Sequence, residues 1–393
     1  MSLEHIVKPT RKGFQVENFR VKLTEDFSDL LQTKDFWNNL LGWSLDNSPF
    51  QTFEWLTSWW KSFGAGKRLY VLVAYQNEDE IPVGVAPLMQ TKNKNLRVLK
   101  FIAHGISDYP DFICDKNHEE VIKSFLFFLN EHKQDWDLIV LRDIPSKGNY
   151  INFLDDLAKG FGFKIVLSRS GVYPFIPLIG SWNSYLSLRS SHWRRILKQK
   201  ETRIIKDGIK YQIKCLSPDA FTYEIFEDII KIEKNSWKIK AGAAKIQKED
   251  QKYFYFSFLS EFAKKEWLNL WLCYFNEKPV AYLINFDYNQ KIWVYNIAYD
   301  ENFSHYSPGT ILIKYALEDA FRRGKKEFDF MRGDEEFKSR WTSEKRESYQ
   351  LIFYRKSLRS LVAYFLLFQA RQTLIKQYGY FKKNICFLRS LLI

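Results

Sequence analysis

YSPGTILIKYALEDAFRRGKKEFDFMRGDEEFKSRW, residues 306–341, reads as an abrupt helix start, an amphipathic helix, a short strand and a charged loop. Ser307 can cap the helix and Pro308 suits its first position, where proline's missing N–H would have no helical partner anyway. Gly309 leaves room for a ligand beside the free N–H groups of Thr310 and Ile311. Such a helix start is a ready phosphate site, because its amides and its dipole both favour negative charge. The strand at Glu327–Met331 then delivers Arg332, Gly333, Asp334, Glu335 and Lys338 to the loop that leaves it.

Working outward, three strand-like runs precede this stretch: LWLCYF (270–275), VAYLINF (280–286) and IWVYNIA (292–298). The first half of the chain has the same order. LYVLVAY (69–75), VGVAPLM (83–89) and Leu96–Ala103 are followed by a helix at Glu119–Glu131 and a strand at Leu138–Leu141. A further helix is expected at Tyr150–Ala158 and a strand at Phe163–Leu167. DLIVLRDI (137–144) occupies the place of EFDFMRGD (327–334), so the halves look like diverged copies of one unit. Strands in a row followed by helix and strand predict an α+β fold. The apolar run of PFQTFEWLTSWWKSFG (49–64) recurs at helical spacing and is expected to be core more than ligand box.

Composition narrows the class. The chain has 393 residues, 46% of them hydrophobic, 18% aromatic and 27% charged, which is globular and long enough for two cores. The four cysteines (Cys114, Cys215, Cys273, Cys386) have no paired spacing and read as reduced thiols, not as a zinc site. No P-loop, dinucleotide or nucleophile-elbow motif occurs. Neither a secretory leader nor a spanning apolar run is apparent, so a cytoplasmic location is expected. The net charge is +13, and from Arg355 onward eight basic residues occur with no acid. That tail is expected to pack with a solvated basic face, to lie on an anionic membrane surface, or to contact RNA phosphates.

IEKNSWKIKAG (232–242), EKPVAYLINF (277–286), NIAYDENFSHYSPGTIL (296–312) and DFMRGDEEFKSRW (329–341) together resemble the CelD/BioF-like acetyltransferases. These are a branch of the GNAT (GCN5-related N-acetyltransferase) superfamily allied to the FemAB peptidyltransferases. SWNSYLSLRSSHWRRILKQKETRI (181–204) is similar to the basic helix that precedes that domain. The resemblance implies tandem GNAT-like domains, each a mostly antiparallel mixed sheet flanked by helices. They would span 1–178, a degenerate copy, and 179–354, the acyltransferase domain, with a basic amphipathic helical tail over 355–393. It also implies acetyl-CoA or another acyl-CoA as co-substrate, no metal, and a pyrophosphate at Ser307, Gly309, Thr310 and Ile311. The first half has no S-P-G counterpart and would be a scaffold or acceptor wall. The implied reaction is N- or O-acylation of a sugar, sugar nucleotide or glycan precursor in envelope or exopolysaccharide synthesis, close to the membrane. The alternatives are a FemAB-like aminoacyltransferase drawing on charged tRNA, and an inactive adaptor.

Acyl transfer needs a base for the nucleophile, an oxyanion site and a proton for the leaving thiolate. Glu233, beside Trp237 and Lys238, is the first candidate base; the competing role is a surface glutamate paired to a lysine. Asp329 alternates with Phe328 and Phe330, so it faces away from them and either serves the acceptor or binds backbone amides of the next loop. Tyr306 has the place of the thiolate-protonating tyrosine of GNAT relatives, or is simply core. Asp300 flanks the helix start. Arg332 and Lys338 suit an anionic partner or an ion-pair network.

Overall fold

A strand longer than its sequence suggests joins the two halves. The structure, a computed structural model, describes residues 19–365 apart from 45, 77–80, 94–95, 116–117, 146–159 and 356, together with 9–10 and 13–14. In the first half β1 (Phe19–Thr24), β2 (Arg68–Gln76), β3 (Pro82–Asn93) and β4 (Leu96–Phe101) form an antiparallel meander. Helix α1 (Phe53–Phe63) precedes β2. Helix α2 (His118–Glu131) then carries the chain to β5 (Leu138–Pro145), which lies parallel to β4. β6 (Phe163–Pro177) closes this half in sequence.

The second half opens with α3 (Ser191–Lys206), β7 (Tyr211–Leu216), α4 (Tyr223–Lys234) and α5 (Glu249–Lys264). β8 (Leu268–Phe275), β9 (Lys278–Tyr288) and β10 (Lys291–Tyr299) form the second meander. Helix α6 (Pro308–Arg322) leads to β11 (Glu327–Asp329), parallel to β10, and β12 (Lys345–Arg355) ends the half. The expected order of antiparallel strands, helix and parallel strand therefore recurs, in an α+β fold with helices flanking a mixed sheet.

The halves share one sheet, in the order β7-β8-β9-β10-β11-β6-β12-β5-β4-β3-β2-β1, with the short strand Ile113–Cys114 beside β3. Their last strands have changed places. β6 of the first half pairs with β11 of the second, and β12 of the second pairs with β5 of the first. β6 and β12 pair with each other from Pro174↔Lys345 to Phe163↔Arg355. Sequence patterning predicts only Phe163–Leu167 here, because Gly171 and Pro174 read as breakers. Gly171 is instead a crossing point: a Cβ there would sit 3.1 Å from Cδ of Arg332, which passes over the strand. A division at 178/179 thus follows the sequence but cuts the β6–β12 ladder.

Aromatic packing makes the second bond between halves. Trp55 of α1 is fully buried, edge-on to Phe50 and Phe258 at 4.9 Å each and to Tyr295 of β10 at 5.4 Å. Its indole N–H donates to Ser107 Oγ at 2.8 Å. The aromatic run 49–64 is core, as its spacing predicts. Cys114, Cys215 and Cys273 are free thiols. The expected helix at 150–158 and the tail beyond Phe365 lie outside the described residues, among which no helix is long and apolar enough to cross a membrane.

Expressed separately, 1–178 and 179–393 should each fail to give a cooperatively melting monomer, because each lacks a strand the other supplies. Circular dichroism and gel filtration test this; two soluble, independently melting fragments would refute the exchange.

Candidate functional site

The second half offers two faces of β10 to chemistry. Asn285 of β9 pairs with Val294 and Ile284 pairs with Asn296, so Tyr295 is the extra residue of a β-bulge. The bulge turns Tyr295 and Asn296 to one face. Tyr295 bonds the Tyr255 hydroxyl at 3.2 Å, and Asn296 Nδ2 donates to Tyr282 Oη at 2.9 Å. Ile297 and Tyr299 face the opposite side, where they meet Gly309 of α6. Parallel pairing with β11 covers only Lys291–Trp293, so β10 and β11 part beyond Trp293 and Asp329. The two faces approach each other at this opened edge.

On the α6 face, Ser307 sits in the left-handed region at φ 53° and its Oγ accepts from Lys200 Nζ at 2.5 Å. The Thr310 and Ile311 amides, expected to be free, donate to Ser307 O at 3.0 and 3.3 Å. Gly309 serves packing: a Cβ would lie 3.2 Å from Ile297 Cδ1. The Tyr306 hydroxyl donates to Asp207 at 2.8 Å, a bond that raises its pKa. Asp300 is buried and caps the 3-10 turn Glu301–Tyr306 by accepting from Asn302 N at 3.1 Å.

On the bulge face, Glu233 of α4 is fully buried with both oxygens engaged. Lys245 N donates to Oε1 at 2.7 Å, the Tyr282 hydroxyl donates to Oε2, and Lys238 Nζ stands 3.7 Å from Oε2. Lys238 also donates to Asn296 Oδ1. Burial pulls its pKa down to about 8 against the opposing charge of Glu233. Trp237 is exposed at the start of the short helix Trp237–Lys240.

The junction holds the rest. Asp329 is fully buried, accepting from Tyr109 Oη at 2.8 Å, Met331 N at 2.7 Å and Arg346 Nη1 at 3.3 Å. It points away from Phe328 and Phe330 as the alternation predicts, and desolvation raises its pKa to about 6 despite Arg346. Arg332 reaches Asp143 at 2.6 Å and lies 3.8 Å from Asp108. Lys338 is a staple for its own loop, donating to Arg332 O at 2.9 Å and pairing with Glu335 at 2.8 Å. Tyr109, Asp143 and Met331 all have positive φ (52°, 63° and 61°), strain of order 1 kcal/mol each that this interlock maintains.

Sequence reasoning missed Asp108 and Lys245. Both line a cavity of about 410 Å³ between the halves, with Arg332, Phe63, Phe254 and Tyr255. Burial raises the Asp108 carboxyl above its ordinary range, against the pull of Arg332 and Lys245. The Tyr295 hydroxyl is raised by burial and further by the charge of Asp108, which brings the carboxylate's field to the bulge. The only signal in the sequence was the Gly- and Pro-bounded polar loop HGISDYPD (104–111).

Residues 191–339 match the model of the acetyltransferase (GNAT) domain. The second half is therefore a GNAT-superfamily acyltransferase domain, and the chain is an acyl-transfer enzyme. Among solved structures, FemX superposes with a TM-score of 0.60 at 12% identity, over 85% of this chain and 98% of that one. A conserved protein of unknown function from Bacteroides thetaiotaomicron gives 0.54 at 11%, over 86% and 100%. The C-terminal domain of a putative lysylphosphatidylglycerol synthetase from Agrobacterium fabrum gives 0.52 at 10%, over 85% and 95%. At these identities the likeness is one of fold. No curated protein matches the chain.

Asp329 titrates near pH 6 when folded and near its ordinary 3.8 when unfolded. The native state then binds more protons across that window, so ionisation of Asp329 lowers stability as pH rises through it. Relative to Asp329→Asn, the wild type should lose up to roughly 3 kcal/mol between pH 4 and 7, at about 1.36 kcal/mol per pKa unit. Urea unfolding of both proteins across that range checks it; parallel pH profiles would contradict the assignment.

Proposed function

We propose that this chain is a tandem GNAT-type acyltransferase that moves an acetyl or longer acyl group from an acyl-CoA to a hydroxyl or amine of a sugar, sugar nucleotide or glycan precursor. The observation that carries this reading is the bulge at Tyr295. It separates a face of β10 served by the α6 N-terminus from a face that packs, through Tyr295, against Tyr255 and Lys245 in the wall of the cavity between the halves. Donor and acceptor then meet at the opened edge from opposite sides. The sugar end of the reading comes from the family resemblance and agrees with an aromatic, polar cavity of sugar-compatible size.

The α6 start suits an anionic nucleotide end. Lys200 and the helix dipole supply positive charge there, with Arg203 6.0 Å from the Tyr306 ring. When bound, the coenzyme A thioester supplies the electrophilic carbonyl and the leaving thiolate. Asp108 accepts the acceptor's proton: it lines the cavity and is held by long contacts, from the Tyr173 hydroxyl and Arg332 N at 3.4 Å each, whereas Glu233 is filled by closer donors and Asp329 is sealed beneath Tyr109 and Arg346. Glu233, through Tyr282, Lys238 and Asn296, holds the bulge in shape. Tandem copies of one unit account for the repeated strand order, with the first copy serving as cavity wall.

A second reading has its own observation. Arg194, Arg195, Lys198, Arg203 and Lys206 form an exposed basic surface on α3, opposite the buried Trp193, Leu197 and Ile204. That surface would suit tRNA as carrier of an aminoacyl donor.

Calorimetric titration with acetyl-CoA and with bulk tRNA at two salt concentrations separates the readings. Acetyl-CoA should bind, and Lys200→Ala should weaken it about tenfold; Asp108→Asn should cut kcat at least about tenfold with acetyl-CoA binding intact, roughly 1.4 kcal/mol of barrier. Salt-sensitive tRNA binding without coenzyme A affinity would overturn the proposal.

A further inference from the structure

Lys245 stands out among the basic residues facing the cavity. Its backbone is anchored, since its own N–H donates to Glu233 at 2.7 Å and Ala243 N donates to Lys238 O at 2.8 Å. The side chain runs along the cavity with Nζ 5.0 Å from the centroid of the Tyr295 ring. Among the described residues this ammonium makes no ion pair within 4 Å and no hydrogen bond, whereas Lys238 and Lys338 are both spent on protein groups. Arg332, on the same wall, directs Nη1 to Asp143 and has further donors in its five-donor fork. Lys245 is exposed at the cavity wall and feels the charges of Asp108 and Glu233 only at longer range, so its ammonium is open to direct pairing with an anionic ligand.

The remaining lining defines the body of that ligand. Phe63, Phe254 and Tyr255 give an aromatic floor, and Asp108 provides a carboxylate within the same volume of about 410 Å³. An oxyanion over Lys245, a compact ring on the aromatics and a hydroxyl or amine toward Asp108 satisfy all three features together.

We propose that the cavity is an acceptor site for an anionic, sugar-sized molecule, a sugar acid or sugar phosphate whose oxyanion is held by Lys245 with Arg332 beside it. This rests on the acyltransferase reading and narrows its acceptor. In the step itself, the X–H bond of the acceptor and the C–S bond of the thioester break and an X–C bond forms. The proton goes to Asp108, and the sulfur leaves as thiolate.

The test is calorimetry on the full chain with glucose, glucuronate and glucose 6-phosphate, and separately with coenzyme A. At least one anionic sugar should bind about tenfold or more tightly than glucose, and whichever is tighter identifies the oxyanion as carboxylate or phosphate. Lys245→Ala should abolish the preference and Lys245→Arg should retain most of it, both with coenzyme A affinity unchanged. Equal binding of glucose and the anions, no binding of either anion, or a preference that survives Lys245→Ala would overturn the site. Loss of coenzyme A binding with the anion preference intact would instead sink the donor reading and leave the site standing.

Discussion

The exchange of β6 and β12 sets what else this chain can do. Because each closes the other half's sheet, the two meanders are fixed edge to edge in one continuous ladder. That constraint brings Tyr109 and Asp108 from the first half against Asp329 and Arg332 from the second. Arg332 crosses to Asp143 over Gly171, where a Cβ would press on its side chain at 3.1 Å. The strained backbone at Tyr109, Asp143 and Met331 sits at the same junction, where packing from both halves over-determines it. A cavity walled by both halves is the consequence.

Within the second half, one extra residue does the comparable work. Without the bulge, Asn296 would share a face with Val294 and the Tyr282–Glu233–Lys238 network would lose its contact with β10. With it, Tyr295 and Asn296 both look to the cavity side, and Ile297 and Tyr299 receive Gly309 of α6 on the other. The early end of the β10–β11 pairing then leaves the strand edge open where these faces meet. Buried carboxylates surround the opening in different states of engagement. Glu233 and Asp329 are filled by close protein donors, while Asp108, with longer 3.4 Å contacts from the Tyr173 hydroxyl and Arg332 N, also lines the cavity.

Much of this was legible in the sequence, and the reasons for the rest are physical. β2–β4, β8–β10, α2, α6 and the turn of Asp329 away from Phe328 and Phe330 follow from periodicity, which reports burial on one or both faces, whereas β1 lies in a mixed stretch with no clear pattern and was not identified. β12, as KRESYQLIFYR, was not identified, because its place between β5 and β6 is a tertiary fact that local patterning does not encode. α5 was also missed. Its aromatic-rich run, Tyr253–Phe258, reads equally as strand until Trp55 and Tyr295 pack on it. At the candidate site, the motifs name Glu233, Lys238 and Arg332 but not their neighbours. Asp108 and Lys245 lie 137 positions apart in the numbering and converge only through the shared sheet and the loops above it. The free amides expected at Thr310 and Ile311 turned inward because Ser307, in the left-handed region, offers them its own carbonyl.

Hydrogen–deuterium exchange with and without coenzyme A tests most directly the claim that the opened edge of β10 is where donor and acceptor meet. Coenzyme A should slow exchange at Val294–Tyr299 and at the first turn of α6, with no comparable change at the parallel edge β4–β5 of the first half. Protection confined to the first half, or no protection along β10, would contradict it.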